Sequence, residues 1–203
     1  MTIFEMCNIL DLNNIKYKKR NNIVQEEHGS NEDYYELRNL QNNGFIYYCI
    51  REKNTEDIEI FKSSIKDINK RFLLILLAKN ELKYSRKIRN ELIRKIQDVN
   101  KMLDLKKQIE KCNITTQFSI GEDKNLAVNV VIKENEYLLL LNNNRITVYS
   151  EIVKNFSQLK IKLPFLLLKN DYLRIVVEKG QYEGYTLELG KQDYEWYFSA
   201  LRI

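Results

Sequence analysis

The stretch IEIFKSSIKDINKRFLLI, residues 58–75, marks the point where short apolar runs give way to a helical repeat. Its large apolar side chains recur at intervals of three, four, three, four and three residues: Ile58, Phe61, Ile65, Ile68, Phe72 and Ile75. This spacing places apolar side chains on one face of an α-helix. The repeat therefore predicts a helix over residues 56–79, with Asn54 or Thr55 as its N-cap.

A second helical repeat follows, with large apolar side chains at intervals of four, four, three and four residues: Ile88, Leu92, Ile96, Val99 and Leu103. It predicts a second long helix over residues 81–112. Two amphipathic helices joined by a short connection form an antiparallel helical hairpin, because each buries its apolar face against the other. We expect these two to pack through eight side chains: Phe61, Ile65, Ile68 and Phe72 from the first, and Leu92, Ile96, Val99 and Leu103 from the second.

The residues before this stretch predict one helix and two strands. Thr2 and Glu5 have the Thr-x-x-Glu spacing of a capping box, which indicates a helix at the start of the chain. Residues 15–19 fit a strand, and GFIYYCI, residues 44–50, is aromatic and apolar enough to form a buried strand. Residues 31–40, NEDYYELRNL, are ambiguous. The N-terminal segment is therefore expected to be α-β-β.

The residues after Asn113 predict antiparallel strands. Short apolar runs alternate with turn-like segments, and the runs read ITTQFSI, LAVNVVI, YLLLL, ITVY, YLRIVVE and YTLEL. A short helix is expected near Ser150. A closing helix is expected with Asp193 as its N-cap. One face of that closing helix would carry four apolar side chains: Tyr194, Tyr197, Phe198 and Leu201.

These elements together predict the α+β class. Its three parts are an N-terminal α-β-β segment, a central long antiparallel helical hairpin, and a C-terminal, mostly antiparallel β-sheet with a closing helix. The predicted division is residues 1–113 and residues 114–203. Because Pro occurs once and Gly six times, no flexible linker separates the two parts, and one continuous domain is equally compatible with the sequence.

Several features predict an intracellular, cytoplasmic protein. Cys7, Cys49 and Cys112 are odd in number and far apart, which is typical of reduced, buried thiols rather than of a disulfide framework. The first residues do not have the basic region and cleavage site of a secretory signal. The most apolar run, residues 72–78, is far shorter than the roughly 20 residues that a membrane span requires. We therefore expect no membrane span.

The positive charge of the chain is concentrated in one segment. Residues 83–111 contain ten basic and four acidic side chains, a net charge of +6, whereas the rest of the chain contains 23 and 24, a net charge of −1. On a continuous helix, four of these cations would fall within roughly 40° of one another and form a row roughly 27 Å long. They are Lys83, Lys87, Arg94 and Lys101.

This row has two interpretations. It can be a site that binds phosphates or an acidic partner, or it can be the ordinary solvated back of a core helix. Glu91 and Asp98 lie three or four residues from these cations and partly neutralise them, which favours the second interpretation. The sequence alone leaves both open.

The sequence does not predict a catalytic site, a metal site or a cofactor. His28 is the only histidine, and it lies in the polar segment EEHGSNED. Asp171, Glu178 and Lys179 provide the residue types of metal-dependent nucleases. In those enzymes, however, the Lys follows the acid by two residues, so that both project from one strand face, whereas Glu178 and Lys179 are adjacent. The six glycines are scattered and do not form a phosphate-binding loop.

From these observations we expect a small, non-catalytic intracellular protein that binds another macromolecule, as an adaptor, inhibitor or assembly factor. The expected partner is another protein or a nucleoprotein. Two alternatives stay open: a nucleic-acid-binding accessory protein that uses the basic segment, and a nuclease that depends on carboxylates and a metal ion.

Overall fold

The structure is a computed structural model that describes residues 1–30, 32–51, 55–112, 114–121, 123, 125, 127–134 and 136–199. Within these residues it contains six helices and nine strands in two sheets, which confirms the predicted α+β class. Two compact units make up the chain. Unit 1 comprises Met1–Leu77 and Glu178–Leu187, and unit 2 comprises Ala78–Val177 and Glu188–Ile203. Because compactness is not independent folding, the predicted boundary between residues 113 and 114 stays a prediction.

Unit 1 begins with helix α1 (Ile3–Leu12), and its capping box is confirmed. The Glu5 amide donates to the Thr2 hydroxyl at 3.2 Å, and the Thr2 amide donates to the Glu5 carboxylate at 2.6 Å. A five-stranded antiparallel sheet follows, in which each strand pairs with the next along the chain. Its strands are β1 (Tyr17–Arg20), β2 (Ile23–Glu26), β3 (Tyr34–Leu40), β4 (Asn43–Ile50) and β5 (Glu56–Ser64).

The stretch that predicted a helix from residue 56 is in fact a strand followed by a helix. Residues 56–64 form β5, and helix α2 (Ile65–Tyr84) begins nine residues later than predicted. Thr55 is therefore not its cap, and Asn54 lies outside the described residues. The prediction was wrong because DIEI, residues 57–60, also alternates polar and apolar side chains. Pairing with β4 satisfies its backbone as well as a helix would.

Helix α2 packs against one face of the unit 1 sheet. Asn39 on β3 donates to Asn69 on α2 at 2.9 Å. A Cβ atom added to Gly44 would lie 2.1 Å from a methyl carbon of Ile68, so glycine is required where the strand and the helix approach so closely. Leu37 and Ile46 are fully buried on this face. The side chains that alternate with them lie on the opposite face.

Unit 2 contains two short helices after α2, a second sheet and two C-terminal helices. The helices after α2 are α3 (Arg86–Ile96) and α4 (Met102–Glu110). The strands pair in chain order, with the first pair parallel and the others antiparallel: β6 (Phe118–Ile120), β7 (Val128–Lys133), β8 (Glu136–Asn143) and β9 (Ile146–Val153). Helices α5 (Phe156–Tyr182) and α6 (Lys191–Ser199) follow.

The second long helix predicted over residues 81–112 is wrong as a continuous element. Helix α2 ends at Tyr84, and residues 97–101 separate α3 from α4. Leu92 and Ile96 are buried as predicted, but Leu103 is 68% exposed. The interruption shifts the helical phase, so that α4 buries other side chains than the repeat predicted, namely Leu105 and Ile109. On α2, Ile68 and Phe72 are buried as predicted, whereas Phe61 lies on β5.

The C-terminal predictions are partly wrong. The run YLRIVVE lies inside α5, and the run YTLEL forms no strand. Buried side chains recur along α5 at helical intervals, so apolar periodicity outweighs the β-branched run around Val176. The helix expected near Ser150 begins only at Phe156. The closing helix is confirmed as α6, although Asp193 lies in its first turn and accepts a hydrogen bond from the Gly190 amide at 2.9 Å.

Two further predictions are settled by the described residues. All three cysteines are buried and free of disulfide bonds, as predicted. Among the helices of the described part of the chain, none combines the length and the apolar character needed to cross a lipid bilayer.

Candidate binding surface

A buried polar network holds the start of α3 in unit 2. The Glu81 carboxylate has no solvent exposure and accepts two hydrogen bonds from one guanidinium nitrogen of Arg89, at 2.9 and 3.1 Å. The Ser85 hydroxyl donates to the same carboxylate at 2.5 Å. The Arg89 guanidinium carbon lies 4.3 Å from the centre of the Phe165 ring. Removing one partner of such a buried pair would leave the other charge uncompensated, so the network holds α3 in place.

The outward face of α3 is basic. Five side chains surround an open hollow on this face: Lys87, Asn90, Glu91, Arg94 and Lys95. The ammonium of Lys95 lies 2.6 Å from the Glu91 carboxylate, and its hydrogen bond lowers the pKa of Glu91. No carboxylate in the described part of the chain forms an ion pair with Lys87 or Arg94. These two exposed cations are therefore available to a partner.

The structure does not place the four predicted row residues on one helix. Lys87 and Arg94 lie on α3, Lys83 lies in the last turn of α2, and Lys101 immediately precedes α4. All four are exposed. The continuous helical row of roughly 27 Å is therefore wrong, because the chain leaves the helical conformation after residue 96. Lys87 and Arg94 alone keep the predicted relation, roughly 10 Å apart along α3, and a role in binding stays a prediction for all four.

Unit 2 also contains an apolar cleft of about 390 Å³ that the sequence did not reveal. Three aromatic and two aliphatic side chains line it together with three charged ones: Tyr149, Phe165, Phe198, Leu82, Leu166, Glu151, Lys162 and Lys169. Glu151 forms an ion pair with Lys162 and accepts a hydrogen bond from the Tyr149 hydroxyl at 3.1 Å. The cleft combines residues from α2, β9, α5 and α6, so no local sequence pattern marks it.

The cleft and helix α3 are connected through one aromatic ring. Phe165 forms a wall of the cleft, and the guanidinium of Arg89 on α3 stacks on its ring. Ile93, one residue before Arg94 on α3, is 42% exposed. Unit 2 therefore has exposed cations and an exposed aliphatic side chain on α3, whereas Arg89, on the other side of this helix, contacts the wall of the apolar cleft.

The other candidate residues have structural roles. The His28 ring stacks on Tyr34 with 3.8 Å between the ring centres, and it lies 3.0 Å from the Gln25 amide nitrogen. Asp171 accepts hydrogen bonds from the Thr115 amide at 2.7 Å and the Thr116 hydroxyl at 2.5 Å, which ties the segment before β6 to α5.

The possible nuclease residues also lie on a different element than expected. Asp171, Glu178 and Lys179 belong to helix α5, not to a strand. Within the described residues, no three His, Cys, Asp or Glu side chains are grouped so that they could hold a metal ion. Comparison of the chain with protein-family models, with curated proteins and with solved structures found no match.

Proposed function

We propose that the protein is a non-catalytic binding protein, an adaptor, inhibitor or assembly factor, that holds an acidic protein partner against α3. One observation supports this proposal above the others. Lys87 and Arg94 are exposed and lack an ion-pair partner among the described residues, on a helix whose Arg89 stacks on a wall of the apolar cleft. Carboxylates of the partner would pair with the two cations, and its apolar side chains would contact the exposed Ile93.

The surface is better suited to a protein than to nucleic acid. Lys87 and Arg94 span roughly 10 Å along α3, which is short for a surface that follows a phosphate backbone. Ile93 would also be buried by a protein partner, whereas phosphates offer it nothing apolar to contact. The +6 charge of residues 83–111 still supports the nucleic-acid alternative.

The buried network below the surface contributes to binding by holding α3 in place. Arg89 is fixed by Glu81 and Ser85 on one side and by Phe165 on the other. A helix that is already ordered loses less conformational entropy when a partner binds. We therefore assign Glu81 and Arg89 to the positioning of the binding surface and not to contact with the partner.

The test uses charge reversal with a matched control. The double variant Lys87→Glu, Arg94→Glu removes the proposed surface, and Lys107→Glu, Lys111→Glu makes the same change of charge at two exposed lysines of the neighbouring segment. Each protein is immobilised and exposed to nuclease-treated extract of the source cells, and retained proteins are quantified by mass spectrometry. We expect an acidic protein to be retained by the wild type and the control and to be lost from the α3 variant.

Two results would count against the proposal. Retention of the same proteins by all three samples would leave α3 as ordinary solvated surface. Retention of DNA or RNA by the wild type, when the extract has not been treated with nuclease, would support the nucleic-acid alternative instead. In that case the logarithm of the affinity for duplex DNA should fall with the logarithm of the salt concentration, with a slope of about −0.9 per phosphate contact. Circular dichroism of the variants would show that each is folded.

A further inference from the structure

The strand register of unit 1 places five side chains in one row across its entire sheet. Direct partners on neighbouring strands have their side chains on the same face. The register joins Arg20 to Ile23, Ile23 to Arg38, Arg38 to Phe45, and Phe45 to Lys62. We call these five residues the cation row. Because strands lie about 4.8 Å apart, the row is roughly 19 Å long.

The cation row lies on the face of the sheet opposite α2. Leu37, the neighbour of Arg38 along β3, is fully buried on the α2 side, and alternate side chains of a strand point to opposite faces. Arg20 and Lys62, at the two ends of the row, are exposed. Ile23 is 38% exposed, and Leu40, which shares this face two residues after Arg38, is 58% exposed. The face thus presents cations and aliphatic side chains together.

The charges on this face are not evenly balanced. Arg38 pairs with Glu36 and, at 2.8 Å, with Asp57, so the carboxylates are gathered around β3 and β5. At the other end, Lys18 and Arg20 of β1 face Gln25 and Ile23 of β2. No carboxylate in the described ranges forms an ion pair with Lys18 or Arg20. The β1–β2 end of the face therefore carries positive charge without compensation.

We propose that this face of the unit 1 sheet binds an acidic peptide segment that also carries apolar side chains. Acidic side chains of the segment pair with Arg20 and Lys62, and its apolar side chains cover Ile23 and Leu40. Charge complementarity specifies the acidic character, and the exposed aliphatic side chains specify the apolar one. The inference concerns residues of unit 1 and does not rest on the function proposed for α3.

Single-stranded nucleic acid is a poorer match for the same face. Proteins that bind single strands on a sheet stack bases on aromatic rings. The ring of Tyr47 already has the Arg38 guanidinium 4.2 Å from its centre, and the ring of Phe45 has the Lys62 ammonium at 5.3 Å. A base would have to displace these cations, whereas a carboxylate can approach the exposed Lys62 ammonium directly.

Because β1 is an edge strand, its basic residues have a second explanation, and the test must distinguish it from peptide binding. Lysines on an edge strand prevent pairing with other chains. That role requires charge on the strand but does not distinguish its two faces. Lys19 lies between Lys18 and Arg20 and points to the opposite face, and it is equally exposed. It therefore provides a control with the same strand and nearly the same chemistry.

The experiment measures binding of three fluorescein-labelled probes by anisotropy at low ionic strength. The first is a 12-residue peptide of alternating Asp and Leu, the second replaces each Leu with Ser, and the third is a 12-nucleotide oligothymidylate. We expect the Asp–Leu peptide to bind tightest to the wild-type chain. Arg20→Glu should weaken this binding by about tenfold, whereas Lys19→Glu should change it by less than about twofold.

Further variants make the outcome decisive. Lys62→Gln changes the opposite end of the row and should also weaken binding of the Asp–Leu peptide. The inference therefore stays testable if Arg20→Glu does not fold. Equal losses in Arg20→Glu and Lys19→Glu, or tighter binding of either other probe, would overturn the inference. Loss of the peptide in the Lys87→Glu, Arg94→Glu variant would overturn it as well and would assign the peptide to α3. Retained binding in that variant separates the two surfaces.

Discussion

The two sheets follow a similar plan but differ in the chemistry of one face. In each, the strands pair in chain order, and the last strand is followed by a long helix, β5 by α2 and β9 by α5. Unit 1 carries the cation row on the face opposite α2. In unit 2 the register places Val131 beside Leu138, and Leu138 beside Ile152. The second sheet therefore has an apolar row across three strands, where the row of the first sheet contains three cations and two apolar side chains.

The faces that pack against a helix, in contrast, are alike in both sheets, because both are apolar and buried. Val130 and Leu139 of the second sheet are fully buried, as Leu37 and Ile46 are in the first. Glu151, the strand partner of Leu139, pairs with Lys162 of α5, so this face lies against the helix. Ile152, on the opposite face, is 61% exposed. Folding requires apolar side chains only on the covered face, and the other face is therefore where the two units differ in what they can bind.

The largest expected effect tests the covered face of unit 1. Phe72 of α2 is fully buried, and Phe72→Ala should lower the free energy of unfolding by about 3–5 kcal/mol because the cavity adds to the lost transfer energy. Phe4→Ala removes an exposed ring and should cost less than about 1 kcal/mol. Chemical denaturation of both variants measures the difference, and similar values would mean that α2 does not cover the sheet as described.

The next prediction compares the two faces of the sheet in unit 2. Leu139→Ala should lower the free energy of unfolding by about 2–5 kcal/mol, because Leu139 is fully buried. Ile152→Ala, on the other face and on the neighbouring strand, should cost less than about 1 kcal/mol. Urea titrations followed by circular dichroism measure both. A large loss for Ile152→Ala would show that its face is covered in solution, and the contrast between the two sheets would then disappear.

A smaller effect is expected where α2 approaches the sheet of unit 1. Gly44→Ala would place a methyl group 2.1 Å from Ile68 and 2.6 Å from the Asn39 side-chain oxygen, and overpacking of this kind costs about 1–3 kcal/mol. Gly29→Ala is the matched control, since its new methyl would meet only the flexible side chain of Glu32. Differential scanning calorimetry should show a lower Tm for Gly44→Ala alone. An unchanged Tm would show that the sheet and α2 can separate freely.

The smallest effect concerns the charges on the face of the unit 1 sheet opposite α2. Hydrogen bonds from Arg51 and Arg38 lower the pKa of Asp57 below its ordinary value. A lowered pKa stabilises the folded state above the unfolded-state pKa of about 3.9, and this contribution is lost as the pH falls through the folded-state pKa. Because the Asp57 side chain is 34% exposed, solvent screening keeps the contribution below about 1 kcal/mol.

The measurement is the free energy of unfolding of Asp57→Asn as a function of pH. The variant should lose less stability than the wild type as the pH falls below the unfolded-state pKa of about 3.9, because it has no carboxylate to protonate. Glu59→Gln, on the same strand, is the control and should follow the wild type more closely. Parallel curves for the wild type and Asp57→Asn would mean that the two arginines contribute nothing at this position.

Local interactions allowed several elements to be predicted from the sequence. The capping box of α1 involves residues three positions apart, and the aromatic run of β4 and the apolar face of α6 are likewise contained in short segments. Cys49 lies within this aromatic run, so its burial is also determined by its apolar neighbours. The exposure of Lys87 and Arg94 followed from the helical repeat. In each case the deciding interaction lies within about one or two helical turns.

Long-range contacts decided the features that the sequence could not specify. Residues 56–64 suit both a helix and a strand, and pairing with β4 selects the strand. The position of α3 depends on Arg89, whose ring contact, Phe165, lies far along the chain. The cation row exists only because the register aligns five strands, and a shift of one residue would turn each strand's alternate side chains to the other face. Composition and periodicity determined the class and the basic segment, whereas the apolar cleft and the cation row were decided by tertiary structure, because their residues come from separate elements.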